Sequence, residues 1–159
     1  MRIEHVAIWT GDLERLKRFY TKYFNCIAGN KYRNESNDFE SYFLSFDNSA
    51  RLELMQMPSI PHHLNDPKTQ YEGIIHIAIS VGSKENVVDI TEKLRSDEYT
   101  IVSEPQTTGD GYFESCVLDS DGNRLEITVW AGDTSQVVMG MVVLIIKYNT
   151  GSVAPFLIK

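Results

Sequence analysis

Cysteine is almost missing from this chain. Two residues, Cys26 and Cys116, stand in or beside strand-like segments of the 159, so no disulfide framework is indicated and a reducing cytoplasm is the expected compartment. Basic charge is also short. Lys and Arg total 15 against 22 Asp and Glu, for a net charge of −7, which argues against a nucleic-acid partner, since that needs a basic face. Long apolar runs are absent too. The longest, "VVMGMVVLII" at 137–146, has ten residues and is too short to span a bilayer as a helix, so no membrane partner is expected. The opening "MRIEHVAIW" enters strand-like alternation directly, and no targeting segment is read before it. Proline is sparse, but three of the five crowd into "PSIPHHLNDPKTQYE", 58–72, which reads as a linker. What remains is the composition of an ordinary globular chain, enough for one compact domain or two small halves sharing a core.

Histidine is equally scarce, and its placing is informative. His5 sits in "IEHVAIW" and His76 in "IIHIAIS", 71 residues on. At that offset Gly11-Asp12 lies over Gly82-Ser83, and Leu16, Phe19 and Tyr23 lie over Val87, Ile90 and Leu94. At an offset of 73, Arg51-Leu52-Glu53 lies over Arg124-Leu125-Glu126. The chain therefore reads as a duplicated module. Each copy begins with a histidine-bearing strand, at 2–9 and 73–81. A helix follows, N-capped by Asp12 or Ser83, with Leu13, Leu16, Tyr20, Tyr23 and Phe24 on the first stripe and Val87, Ile90 and Leu94 on the second. Three strands come next, at 26–33, 39–46 and 50–57, then at 99–104, 111–118 and 123–130. The expected division is 1–57 and 73–130 for the modules, 58–72 for the linker and 131–159 for a C-terminal extension.

Strand side chains alternate between faces. If Val6, Ile8, Leu52, Leu54, Ile75, Ile77, Ile79, Leu125, Ile127 and Val129 face the helices, then His5, Glu53, His76 and Glu126 all point the other way. Two imidazoles and two carboxylates suit one divalent transition metal, Ni, Zn, Co, Mn or Fe, and four protein ligands on an octahedral ion leave two positions open. Taken singly, a strand histidine or an "RLEL" glutamate is usually structural or solvated. The matched set points to a metal site.

The two βαβββ repeats, with "H-V-A-I", "L-E-L", "H-I-A-I" and "D-G-N-R-L-E-I", resemble the vicinal oxygen chelate superfamily over about residues 1–130. That group includes glyoxalase I, methylmalonyl-CoA epimerase, fosfomycin-resistance enzymes, ring-cleaving dioxygenases and bleomycin-binding proteins. The resemblance implies an α+β fold of two tandem βαβββ modules forming a U-shaped, metal-containing cleft, acting on a small molecule, with a homodimer usual. The ligand set His5, Glu53, His76, Glu126 matches bacterial glyoxalase I position by position. The implied activity is that of a metal-dependent lyase or isomerase acting through an enediolate, with Glu126 or Glu53 as base and Glu126 favoured. The alternatives are a dioxygenase, an antibiotic-resistance enzyme or a binder of the same superfamily. Where glyoxalase I holds glutathione carboxylates with an arginine and an asparagine, this chain has Trp9 and Met57, which cannot grip a carboxylate. Trp9, Phe43, Met55, Met57 and Tyr112 are the expected substrate-lining residues.

The other residues read plainly. Arg51 and Arg124 are strand ends or ion-pair partners, Glu4 and Glu114 are surface or edge acids, His62 and His63 are solvated loop residues, and the cysteines are structural thiols. The apolar run at 137–146 is expected to add a strand or hairpin outside the family pattern, packed on the domain or on a partner protomer.

Overall fold

The computed structural model describes residues 1–47, 49–63 and 66–132. In chain order the elements are β1 (His5–Trp9), α1 (Leu13–Tyr23), β2 (Ile27–Ala28), β3 (Tyr32–Asn34), β4 (Phe39–Ser45) and β5 (Arg51–Gln56). Then come β6 (Ile77–Ser80), α2 (Lys84–Ser96), β7 (Ile101–Thr107), β8 (Tyr112–Leu118) and β9 (Arg124–Trp130). This is the expected α+β architecture: two βαβββ units, each with its own mixed sheet, and the two sheets form the cleft. The strand or hairpin expected within 137–146 lies outside the described residues.

Both sheets are wired alike. In the first the order is β1-β5-β4-β2, with β3 also on β4; in the second it is β6-β9-β8-β7. The first and last strands of each unit lie parallel, His5 opposite Arg51 and Ala78 opposite Glu126. The segment expected as one strand at 26–33 is two short ones. Ile27–Ala28 pairs with Leu44–Ser45 and Tyr32–Asn34 with Phe39–Ser41, and Gly29 and Asn30, poor strand formers, fall in the gap. The strand expected at 99–104 runs from Ile101 to Thr107. Its pairing with β8 is irregular on both sides of Ser103, where Pro105 cannot donate a ladder hydrogen bond.

Each helix starts where its cap dictates. Asp12 Oδ1 accepts from the Arg15 N–H at 3.0 Å and Ser83 Oγ from the Asn86 N–H at 3.1 Å, filling donors the first turn leaves free. The stripe on α1 buries Leu13, Leu16, Phe19, Tyr20 and Tyr23, and that on α2 buries Val87, Thr91 and Leu94. Beneath them Leu52, Leu54, Leu125 and Ile127 are almost fully covered, so the alternation read from the sequence puts the right faces inward.

Helix α1 also ties the units together. The Tyr20 hydroxyl donates to Asp119 Oδ2 at 3.1 Å in a buried setting. Phe19 and Tyr23 pack on Tyr99, with ring centres 5.0 and 5.6 Å apart. Lys22 and Tyr23 both reach Asp97, and Arg15 Nη2 lies 2.6 Å from Asp121 Oδ1. Asp119 belongs to the β8–β9 turn, where it accepts from the N–H groups of Asp121 and Asn123 at 2.9 Å each. Gly122 closes that turn at φ 84°, a conformation that favours glycine.

Candidate metal centre

The cross-strand register decides what each open face carries. On the first sheet Ala7 is opposite Glu53, Trp9 opposite Met55, and Phe43 opposite Glu53. His5, Glu53, Trp9, Phe43 and Met55 therefore share the face turned from α1. His5 Nε2 lies 3.8 Å from Glu53 Oε2. The Phe43 ring meets the His5 ring edge-on, with centres 5.4 Å apart. Trp9 packs edge-on against Phe39 at 5.9 Å. Met57 follows the last residue of β5 and is half-buried.

On the second sheet Cys116 is opposite Glu126, Glu114 opposite Thr128 and Tyr112 opposite Trp130. His76 directly precedes β6, and its Nε2 lies 3.1 Å from Glu126 Oε2. A hollow of 450 Å³ on this face is lined by His76, Gln106, Glu114, Cys116, Arg124 and Glu126 among others. Burial pushes the Glu126 carboxyl up; the nearby His76 opposes this, while Glu114 and Asp110 add to it. A second cavity, of 410 Å³, runs from Trp9 on β1 past His63 and Tyr71 to His76 and Arg124.

The sequence-predicted ligands thus come together as two pairs, His5 with Glu53 and His76 with Glu126. Among the described residues no three His, Cys, Asp or Glu side chains converge into a metal-binding group within one chain. The donors nonetheless fit a divalent ion. Two ligands bound side by side at about 2.1 Å each stand roughly 3 Å apart; the second pair has that spacing and the first needs only a small side-chain adjustment. The expected lining residues divide the same way, Trp9, Phe43 and Met55 with the first pair and Tyr112 with the second.

A family model for the Glyoxalase/Bleomycin resistance protein/Dioxygenase superfamily matches residues 2–127. The chain belongs to this superfamily. Among solved structures, a glyoxalase/bleomycin resistance protein/dioxygenase domain from Frankia sp. EAN1pec aligns with TM-score 0.68 at 18% identity, over 82% of this chain and 98% of the other. The trypanothione-dependent glyoxalase I of Leishmania major aligns with TM-score 0.67 at 24% identity, over 95% and 99%. Glyoxalase I from Zea mays, as a V278E mutant, gives 0.64 at 23%, over 80% of this chain and 44% of its own. At these identities the likeness carries the superfamily's fold and leaves the chemistry to the residues. No curated protein matches the chain significantly.

Three residues read as incidental in the sequence touch or line these sites. Glu114 and Cys116 line the hollow beside Glu126. The period-two alternation of "YFESC" would have shown this once Cys116 was known to face Glu126. Glu4 is exposed, as expected of a surface acid, yet its carboxylate accepts from His5 Nδ1 and from Arg51.

Proposed function

We propose that this member of the superfamily is a metal-dependent lyase or isomerase of glyoxalase type, binding one divalent ion per complete site through His5, Glu53, His76 and Glu126. The observation that carries this is the pair of His–Glu contacts, each on the open face of its sheet, at 3.1 Å in the second and 3.8 Å in the first. A bound divalent ion supplies Lewis-acid stabilisation to a substrate with two neighbouring oxygens. Because each unit offers only half the donor set, we place the complete centre between the first sheet of one protomer and the second sheet of another, in a homodimer. The duplicated modules at 1–57 and 73–130, joined by 58–72, are the units so shared.

Within that site Glu126 is the proposed base. Freed from the ion in its half-buried position, the carboxylate gains basicity, as abstraction beside a carbonyl to give an enediolate requires. Glu53 holds the facing position. Trp9, Phe43, Met55, Met57 and Tyr112 offer aromatic and thioether surface to the substrate and exclude water from it. Trp9 and Met57 provide no grip for the carboxylates of glutathione, so the carrier is another molecule or none.

Protein purified without chelator tests the reading. Metal analysis should give one ion per complete site, and His76→Ala should cut that content sharply, since the variant lacks a direct ligand. Wild-type metal content in that variant rejects the site. The methylglyoxal–glutathione adduct should be turned over weakly, and efficient turnover would return glutathione to the substrate. Light scattering should give a dimer mass; a clean monomer that still holds four-ligand metal would overturn the shared site. Oxygen uptake with catechols would move the chemistry to the dioxygenase class.

A further inference from the structure

We propose that Glu4 is a positioning residue, held by Arg51, that accepts the Nδ1 proton of His5 and leaves Nε2 free to face Glu53. The proposal rests on the reading that His5 binds metal.

Four side chains, Glu4, Arg51, Phe43 and His5, close a ring through the histidine of the first pair. Arg51 Nε donates to Glu4 Oε1 at 2.9 Å, and Arg51 Nη2 donates to the same oxygen. The other carboxylate oxygen, Oε2, takes His5 Nδ1. The Arg51 guanidinium lies 4.1 Å above the centre of the Phe43 ring, and that ring meets His5 edge-on. An ionised carboxylate can only accept, so the neutral imidazole beside it carries its one proton on Nδ1. Nε2 then presents its lone pair 3.8 Å from Glu53. A carboxylate behind a ligating imidazole fixes tautomer and ring angle and strengthens the ligand.

Among the described residues the second pair has no such arrangement. The position matching Glu4 at the 71-residue offset is Ile75. Arg124, the counterpart of Arg51, donates instead to the Lys68 carbonyl at 3.2 Å, with Cys116 Sγ 4.0 Å away. The brace therefore belongs to one half of the duplicated site, and that half is the one set in advance for a ligand.

The test uses the full chain with Glu4→Ala, Glu4→Gln and Arg51→Met. Imidazole ¹⁵N shifts, recorded on metal-free protein above the histidine titration, report the tautomer; His5→Asn identifies the His5 signals. His5 should be the Nδ1–H form in the wild type, should shift toward Nε2–H in Glu4→Ala, and should be partly restored in Glu4→Gln, whose amide oxygen still accepts. His76 should not change. The dissociation constant for Co²⁺, measured by chelator competition, should weaken about 10–100-fold in Glu4→Ala, with the melting temperature nearly unchanged because Glu4 is exposed. A wild-type His5 already in the Nε2–H form, or a tautomer and affinity both indifferent to Glu4, would overturn the proposal. Wild-type protein that binds no Co²⁺ would instead sink the metal reading, and the tautomer result would then decide the brace by itself.

Discussion

The two His–Glu pairs occupy matched places in matched units, but they are held differently. His76 and Glu126 touch each other directly at 3.1 Å. His5 and Glu53 stand 3.8 Å apart, with His5 tied from behind by Glu4. The helices differ in the same way. Tyr20 of α1 matches Thr91 of α2 at the 71-residue offset. Tyr20 reaches into the other unit to Asp119, whereas Thr91 stays at home, 2.7 Å from Ser115 Oγ and donating to the Val87 carbonyl. The donor set and the strand order are alike in the two units, while the groups that fix them have diverged. The first unit supplies the braced histidine and the connecting helix; the second supplies the hollow around Glu126.

Substitutions at matched positions can break or sharpen that contrast. The largest effect is expected at Leu54 and Ile127, both fully buried under their sheets. Each changed to Ala should cost about 2–5 kcal/mol in denaturant unfolding. A loss under about 1 kcal/mol at either would show that its half of the core is loosely packed.

Next come the helix partners. Tyr20→Phe leaves the buried Asp119 without one donor and should cost about 1–3 kcal/mol. Thr91→Val should cost about 1 kcal/mol, because Ser115 loses only a hydroxyl contact within the same unit. If Thr91→Val proves the more damaging of the two, the link through α1 is not what holds the units together.

The smallest effect is electrostatic. Hydrogen bonds from Lys17, Lys31 and Tyr42 pull the Glu14 carboxyl down to about 2 from its usual 4.5. Its counterpart Glu85 is lowered too, chiefly by backbone hydrogen bonding at the start of α2 and then by Ser83. A carboxylate depressed in the folded state adds stability above its unfolded value, and that stability is lost as pH falls through the folded value. Glu14→Gln should therefore flatten the acid limb of the stability curve between pH 4.5 and about 2, and Glu85→Gln should flatten it less. Both changes should be small, since these are surface groups. Melting temperatures across that range would show it, and equal flattening would erase the distinction between the helices.

Much of this was readable in the residues because strand alternation is strict. Once Leu52, Leu54, Leu125 and Ile127 were assigned inward, Glu53 and Glu126 had to face outward. The caps at Asp12 and Ser83 were readable because they depend on neighbours three residues away. What could not be read depends on the register between strands. That Cys116 lies across from Glu126 follows only from how β8 pairs with β9, and alternation then puts Glu114 on the same face. Glu4 looked like a surface acid because its partner Arg51 is close only through the β1–β5 pairing. The break at Gly29 and the irregular pairing around Ser103 are local concessions to poor strand residues, and they moved boundaries without moving the candidate ligands.

The parallel pairing of each unit's first strand with its last has a consequence for how the protein is made. His5 and Glu53, or His76 and Glu126, are separated by about 50 residues of chain, and they become neighbours only when the whole βαβββ unit has closed on itself. Contacts of such long sequence separation are slow to form, since loop closure must be completed before they stabilise anything. A nascent or partly unfolded chain would thus hold scattered single donors with little hold on a divalent ion. If His5, Glu53, His76 and Glu126 bind an ion as proposed, affinity for it would arise only with completed topology, so a metal-loaded molecule would carry a record of having folded correctly.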